Sequence, residues 1–150
     1  MGAKQTTAAE KQPPDLSGGH VNVTDGRHVY MRAPVSPDNA PLNEYTLMPT
    51  HMTHTFAVEE FQGTEMHPGF SFTKGCPVMK IPTRRGVWPP VPEGGNLLFD
   101  MAVDPHQQHP LHDPALEARM LDHLCRLLEE NDAPAEQYVR LGLPVAPAAR

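Results

Sequence analysis

Apolar and polar residues alternate in two short runs of this sequence, Val21–Val23 and Val29–Met31, and the segment between them contains Asp25-Gly26. Alternation with a period of two predicts β-strands, and Asp-Gly between two such runs predicts a hairpin because glycine tolerates a positive φ in the turn. We therefore expect a hairpin with one buried face. That face should carry Val21, Val23, Val29 and Met31, and the opposite face Asn22, His28, Tyr30 and Arg32.

Shorter apolar runs farther along the chain predict further strands. The last of these runs has an unbroken apolar centre, Leu97–Phe99, which is typical of a strand that is buried on both faces. Between the strands, Ala57–Phe61 favours a single helical turn. The predicted strands are Glu44–Met48, one or two strands within Phe70–Pro82, and Asn96–Met101.

The C-terminal part of the chain has the pattern of an amphipathic helix. Asp113 suits the N-cap, Pro114 suits the first helical position, and the helix should reach about Asn131. A second short helix should begin at Pro134 and end at Gly142. The apolar stripe of the long helix consists of Leu116, Met120, Leu124, Leu127 and Leu128, with Leu121 beside it.

These elements predict an α+β fold, in which a small antiparallel sheet of about four strands is packed on one face by the long helix. The other face of the sheet has no predicted cover. The chain has 150 residues, with 18 prolines, 11 glycines and 39% hydrophobic residues, so we expect one small core with long loops. Residues 1–18 should be a disordered leader, 19–143 the folded subdomain and 144–150 a flexible tail.

Charge and cysteine usage narrow the possible functions. The net charge of −6 gives no electrostatic basis for binding nucleic acid. Cys76 and Cys125 form no disulfide framework and are expected to be reduced thiols. The chain has no apolar run of about 18 residues and no secretory signal, so we expect no membrane span and a cytoplasmic location.

A loop that contains His106, His109 and His112 is the most prominent candidate for chemistry. Neutral imidazoles bind Zn²⁺, Ni²⁺ or Cu²⁺, so the three histidines are candidate metal ligands. This spacing makes two rings converge only on a helical backbone, which Pro105 and Pro110 oppose. We therefore favour a solvated loop over a metal site.

Two other segments contain reactive or anion-binding residue types. Cys76 lies near Lys74 and Lys80, and a reactive thiolate needs such a positive neighbourhood. Arg84-Arg85 suits a sulfate, phosphate or carboxylate, which arginine binds through two donors. We favour a structural interpretation for both, namely a half-buried cysteine at a strand start and a surface loop. The same holds for three further histidines, His51, His54 and His67.

Five segments follow one another between Gly18 and Leu143. They are GGHVNVTDGRHVYMRAP (Gly18–Pro34), EYTLMPTHM (Glu44–Met52), FSFTKGCPVMKIP (Phe70–Pro82), NLLFDMAVDP (Asn96–Pro105) and the amphipathic helix that opens at Asp113-Pro114. In this order the segments resemble the C-terminal subdomain of bacterial sulfatases of the arylsulfatase type. The resemblance covers most of the chain, and the order of the segments makes it more specific than any one of them.

The resemblance implies an alkaline-phosphatase-like superfamily fold, in which a large α/β domain carries the reaction and a smaller C-terminal sheet-and-helix subdomain packs against it. The family's nucleophile lies in a Cys/Ser-x-Pro-x-Arg motif. Here Pro77 follows Cys76 directly, and Lys80 stands where no motif arginine can be matched, so this role does not transfer. The aspartates that bind the divalent metal in the family also have no counterpart, and Asp104-Pro105-His106 is not a substitute.

We therefore assign no catalytic, cofactor-binding or metal residue to the chain, and expect the divalent metal in a missing catalytic domain. The leading hypothesis is a truncated or split sulfatase, a subdomain that completes a sulfuric-ester hydrolase with a separately encoded catalytic domain and is inactive alone. One alternative is a stand-alone interaction module that self-associates through an exposed sheet face. Another is a metal-binding protein that uses His106, His109 and His112.

Overall fold

The structure is a computed structural model that describes residues 19–51, 54–83 and 95–144. These residues form two antiparallel three-stranded sheets and two α-helices, so the predicted α+β class with one long C-terminal helix is confirmed. In place of one sheet of about four strands, there are six strands in two sheets. The predicted leader, the Arg84-Arg85 loop and residues 145–150 of the predicted tail lie outside the described residues.

The strands are short and are numbered along the chain. They are β1 (Val21–Thr24), β2 (His28–Arg32), β3 (Asn43–Thr46), β4 (Glu65–His67), β5 (Val78–Pro82) and β6 (Leu97–Asp100). The first sheet has the order β1-β2-β6, and the second sheet has the order β3-β5-β4. The helices are α1 (Pro114–Glu130) and α2 (Ala135–Leu141), and 3-10 turns lie at Val58–Phe61 and Ser71–Thr73.

The predicted hairpin is present, but its turn is longer than an Asp-Gly pair. Thr24 pairs with Val29, so the loop runs from Asp25 to His28. The Asp25 carboxylate accepts hydrogen bonds from the backbone N–H groups of Arg27 and His28, at 2.9 and 2.7 Å. A side-chain oxygen that binds backbone N–H groups two and three residues later stabilises this wider turn.

The observed register determines which residues of β2 face α1. Val23 pairs with Tyr30, and Tyr30 pairs with Leu98, so these three side chains lie on the same face. The predicted division of β2 between the two faces was therefore wrong, because it assumed that odd-numbered residues of both strands share a face. The face towards α1 carries Val21, Val23, Tyr30 and Arg32, and the opposite face carries Asn22, Val29 and Met31.

Helix α1 begins where the sequence predicts. The Asp113 carboxylate accepts the N–H groups of Ala115 and Leu116, and Pro114 occupies the first turn, where its missing N–H costs nothing. The helix ends at Glu130, and α2 ends at Gly142, whose positive φ of 61° suits glycine.

The main hydrophobic core lies between α1, α2 and one face of the first sheet. Most of the predicted helix stripe contributes to it, but Leu127 is 39% exposed and lies at its margin. The phenol of Tyr30 is fully buried, and its hydroxyl donates to Glu117 on α1 at 3.0 Å. The buried members are Val23, Tyr30, Leu98, Met120, Leu124, Tyr138, Leu141 and Leu143.

The first sheet is also largely buried on the face away from α1. Leu98 faces the core and Phe99 faces the other way, and both are buried, as predicted for a strand with an apolar centre. The neighbours of Phe99 on this face, Val29, Met31 and Leu97, are half-buried. This face therefore exposes less apolar surface than the lack of a predicted cover suggested.

The second sheet has its own small interior. The central strand β5 buries Val78 and Ile81, whose side chains point to opposite faces of the sheet, and Phe56 is also buried. Phe70 and Phe72 do not form a strand; they flank and enter the 3-10 turn at Ser71–Thr73. The strand that pairs with β5 is instead β4, a polar segment with no apolar alternation.

Candidate functional site

A cluster of charged side chains lies at the turn of the hairpin. Asp25 Oδ2 lies 3.0 Å from His28 Nδ1 and 3.0 Å from Nη2 of Arg119 on α1. On the other side of the ring, His28 Nε2 lies 3.9 Å from Asp100 Oδ2. Arg27 donates to the same oxygen of Asp100 from Nε at 3.0 Å and from Nη2 at 2.5 Å. The histidine is therefore held between two carboxylates, each paired with an arginine.

Both carboxylates of this cluster are stabilised in their charged form. Hydrogen bonds from the backbone N–H and the ring of His28 hold the pKa of Asp25 well below its usual range. The hydrogen bonds of Arg27 similarly lower the pKa of Asp100. Both groups are therefore ionised at neutral pH and bind their partners as anions.

The cluster has the residue types of a general base but not the arrangement. A carboxylate that holds Nδ1 orients an imidazole for proton transfer at Nε2, and that nitrogen must reach a substrate. Here Nε2 faces Asp100, and the His28 side chain is only 14% exposed. We therefore interpret the cluster as a network that fixes the hairpin turn to β6 and α1.

A second polar cluster joins the second sheet to α2. Glu136 Oε1 accepts a hydrogen bond from the Tyr45 hydroxyl and another from Asn43 Nδ2, the latter at 2.7 Å. Burial alone raises the pKa of Glu136, but the hydrogen bonds from Tyr45 and Asn43 outweigh it, and its pKa is lowered. On the same face of the second sheet, Lys80 pairs with Glu65 at 2.9 Å.

A carboxylate in the connection between the two helices makes a third polar contact. Asp132 Oδ2 accepts the backbone N–H of Ser71 at 2.8 Å, and hydrogen bonds from Ser71 lower the pKa of Asp132. Ser71 opens the 3-10 turn that Phe70 and Phe72 flank and enter. Asp132 thus attaches this turn to the C-terminal end of α1.

The side chain of Arg140 on α2 is buried and binds the segment between the two sheets. Its Nη1 donates to Asn39 Oδ1 and to the carbonyl of Gly19, both at 3.2 Å, and its own carbonyl accepts the N–H of Val35. Loss of solvent lowers the pKa of this guanidinium. The contacts fix residues 35–39 against α2.

The three loop histidines are not brought together. His106, His109 and His112 are all exposed, and the loop is organised by Asp104, whose carboxylate accepts the N–H of His109 at 2.7 Å. Across residues 19–51, 54–83 and 95–144, no group of three or more His, Cys, Asp or Glu side chains is arranged to hold a metal ion.

The other candidates from the sequence lie at separate positions in the second sheet and its connections. Cys76 is exposed and is a free thiol, and Lys80 is engaged by Glu65. His51 stacks on Phe56, with ring centroids 4.1 Å apart, and its Nε2 lies 2.8 Å from Glu60 Oε1. These contacts are structural.

Sequence analysis did not identify the carboxylates that join the second sheet to the helices. Glu136 lies 91 residues from Tyr45, and nothing local to either residue marks the contact. The segment around Asp132 predicted only a helix end. Pairing over such distances is visible only in the folded chain.

No protein family, curated protein or solved structure was found to match this chain. Among the residues that the structure describes, none of the helices combines the length and the apolar character needed to cross a bilayer.

Proposed function

We propose that the chain is a non-catalytic subdomain of the sulfatase type, which packs against a separately encoded α/β catalytic part of a sulfuric-ester hydrolase. The family assignment rests on the ordered segments between Gly18 and Leu143. A divalent metal and a nucleophile would belong to the catalytic part. The role of this chain would be to complete and shield that part.

The observation that carries the proposal is the apolar surface of the second sheet and its connections. Exposed apolar side chains are candidates for contact with a partner, here on both faces of the second sheet, and methionine is well suited to adapt to a partner. These side chains lie on a segment that contributes none of its described residues to the main core. They are Leu47, Met48, Val58, Met66 and Phe72, which are 62–82% exposed.

The clusters of ionisable residues support a structural role as well. The hairpin cluster uses its carboxylates to hold Arg27, His28 and Arg119, and Glu136 uses its carboxylate to hold Asn43 and Tyr45. A hydrolase needs a nucleophile and charge-stabilising donors that converge on an open position. These side chains converge on one another instead.

An activity assay tests the catalytic part of the proposal. The purified 150-residue chain, incubated with p-nitrophenyl sulfate and Ca²⁺, Mg²⁺ or Zn²⁺, should release no p-nitrophenol above the protein-free blank. When the chain is expressed with the reading frame immediately upstream of its gene, turnover should appear and should require both proteins. Metal-dependent turnover by the chain alone would overturn the proposal.

A matched pair of variants tests the proposed surface. Met66→Lys combined with Phe72→Lys, which changes both faces of the second sheet, should lower the fluorescence of a bound hydrophobic dye by more than half and abolish turnover with the upstream protein. Val103→Lys is the control, because Val103 is 75% exposed but lies outside the second sheet. Equal effects of both changes would contradict this choice of surface.

Sedimentation distinguishes the alternative of a self-associating module. The proposal predicts a monomer that forms a one-to-one complex with the catalytic part. A stable dimer of the chain that does not bind the upstream protein would favour the interaction module instead. Zn²⁺ binding that is lost when His106, His109 and His112 are replaced would favour the metal-binding alternative.

A further inference from the structure

We propose that the described residues between Leu42 and Thr83, here called the flap, form a separately opening unit that Asp132 and Glu136 hold against the helices. In this arrangement the flap detaches as a unit while the first sheet and α1 stay folded. The inference concerns the motion of this chain and does not depend on the proposed function.

The flap is closed at its base. The N–H of Thr83 donates to the carbonyl of Leu42 at 3.0 Å, so the two ends of the segment meet. Just before this point, Arg140 binds Asn39 and Val35 and fixes the preceding chain to α2. A segment whose ends are adjacent can move without displacing the strands on either side.

The interior of the flap is separate from the main core. The flap buries Val78, Ile81 and Phe56, and no described residue between 42 and 83 belongs to the core between the first sheet and the helices. Rings on one side of the flap pack on each other: the centroids of Tyr45 and Phe70 lie 5.0 Å apart. The flap can therefore keep its internal packing when it moves away from the helices.

The contacts between the flap and the helices identified above are polar. Glu136 holds β3 through Tyr45 and Asn43, and Asp132 holds the 3-10 turn through Ser71. Hydrogen bonds to a carboxylate are stronger than those between neutral groups, but water can replace them when the surfaces part. Apolar side chains that lose their burial gain no comparable contacts with water. The two carboxylates therefore act as a latch that can release.

Hydrogen exchange measured by mass spectrometry on the full chain tests the inference. In the wild type, peptides that contain β3, β4 and β5 should exchange together, and faster than peptides from β2 and α1. In the variant Asp132→Ala/Glu136→Ala, exchange of the flap peptides should rise by about tenfold or more, while that of β2 and α1 changes by less than about twofold. Tyr45→Phe, which removes only one hydroxyl, should give a smaller rise in the same peptides.

The matched control is Glu129→Ala/Glu130→Ala, which removes two carboxylates from the end of α1. Both side chains are exposed, and the flap peptides should then keep their wild-type exchange rates. The inference is overturned if the latch variant accelerates exchange equally in the flap and in α1, if it leaves the flap unchanged, or if it unfolds the whole chain.

Discussion

The first sheet packs against α1 through the apolar side chains of Val23, Tyr30 and Leu98. The second sheet and its connections contact the helices through hydrogen bonds to the carboxylates of Asp132 and Glu136. Both sheets have three short antiparallel strands. The difference lies in what covers them. A 17-residue helix supplies a continuous apolar cover to the first sheet, while the second is covered by short turns and its own rings.

The comparison shows why strand number alone does not set the stability of a small sheet. Three short strands gain little from their own hydrogen bonds and depend on a packed face. The first sheet has such a face, and because that face and α1 share one core, we expect the sheet and the helix to unfold together. The second sheet has a small interior of its own and meets the helices through polar contacts, so it should respond to different substitutions.

The largest effect is expected from Met120→Ala, which removes a fully buried side chain between the first sheet and α1. Truncation of a buried methionine costs about 2–5 kcal/mol of the free energy of unfolding. Urea denaturation should show this loss across the first sheet and the helices. Leu127→Ala, on the margin of the same helix, should cost under about 1 kcal/mol. Equal costs would contradict the assignment of the core.

A local effect is expected from Ile81→Ala in the second sheet. Ile81 is as buried as the residues of the main core, so its truncation should destabilise β3, β4 and β5. Because the flap opens by itself, hydrogen exchange of α1 should stay at its wild-type rate. Met79→Ala, at a half-buried position of the same strand, should have a weaker effect in the same peptides. Loss of protection in α1 as well would make the two sheets one cooperative unit.

The smallest effect is expected from Arg27→Gln in the hairpin cluster. Arg27 lowers the pKa of Asp100, so the ion pair stabilises the fold at pH values above the ordinary aspartate pKa, and this stability is lost as pH falls through the lowered pKa. The substitution should raise the pKa of Asp100 and shift acid unfolding to a higher pH. Because Arg27 is 62% exposed, solvent screening keeps the effect small.

A carboxyl titration by NMR measures this change directly. Arg126→Gln is the control, since Arg126 is similarly exposed and pairs with Glu130 at 3.8 Å instead. The titration of Asp100 should be unchanged in that variant. If the pKa of Asp100 were unchanged in Arg27→Gln, the ion pair with Arg27 would not be the cause of the lowered pKa.

Local signals in the sequence identified the elements whose ends are determined by nearby residues. Asp113 and Pro114 mark the start of α1, and Gly142 marks the end of α2, because capping depends on atoms within a few residues. The hairpin was predicted but its register was not, because Asp25 binds two N–H groups and widens the turn. Tyr30 lies in the core because a loop with an even number of residues pairs odd-numbered residues of β1 with even-numbered residues of β2, which the prediction overlooked.

Long-range contacts determined what the sequence did not reveal. The strand β4 contains Glu65, Met66 and His67, which show no apolar period, and it exists because β5 lies beside it. Of the candidate sites, the histidine loop was recognisable but does not converge, and the latch carboxylates gave no local signal. Their partners lie 61 to 93 residues away along the chain.

The pairing of β2 with β6 has a consequence for modularity. Met31 lies opposite Leu97, so the end of β2 and the start of β6 are neighbours in an antiparallel pair. The first sheet is thus a simple meander, and the flap is an excursion out of one of its hairpin connections. A short link from Leu42 to Thr83, whose backbones already meet, should preserve the strand order and the face beneath α1, so we expect that the flap can be exchanged or removed as a cassette.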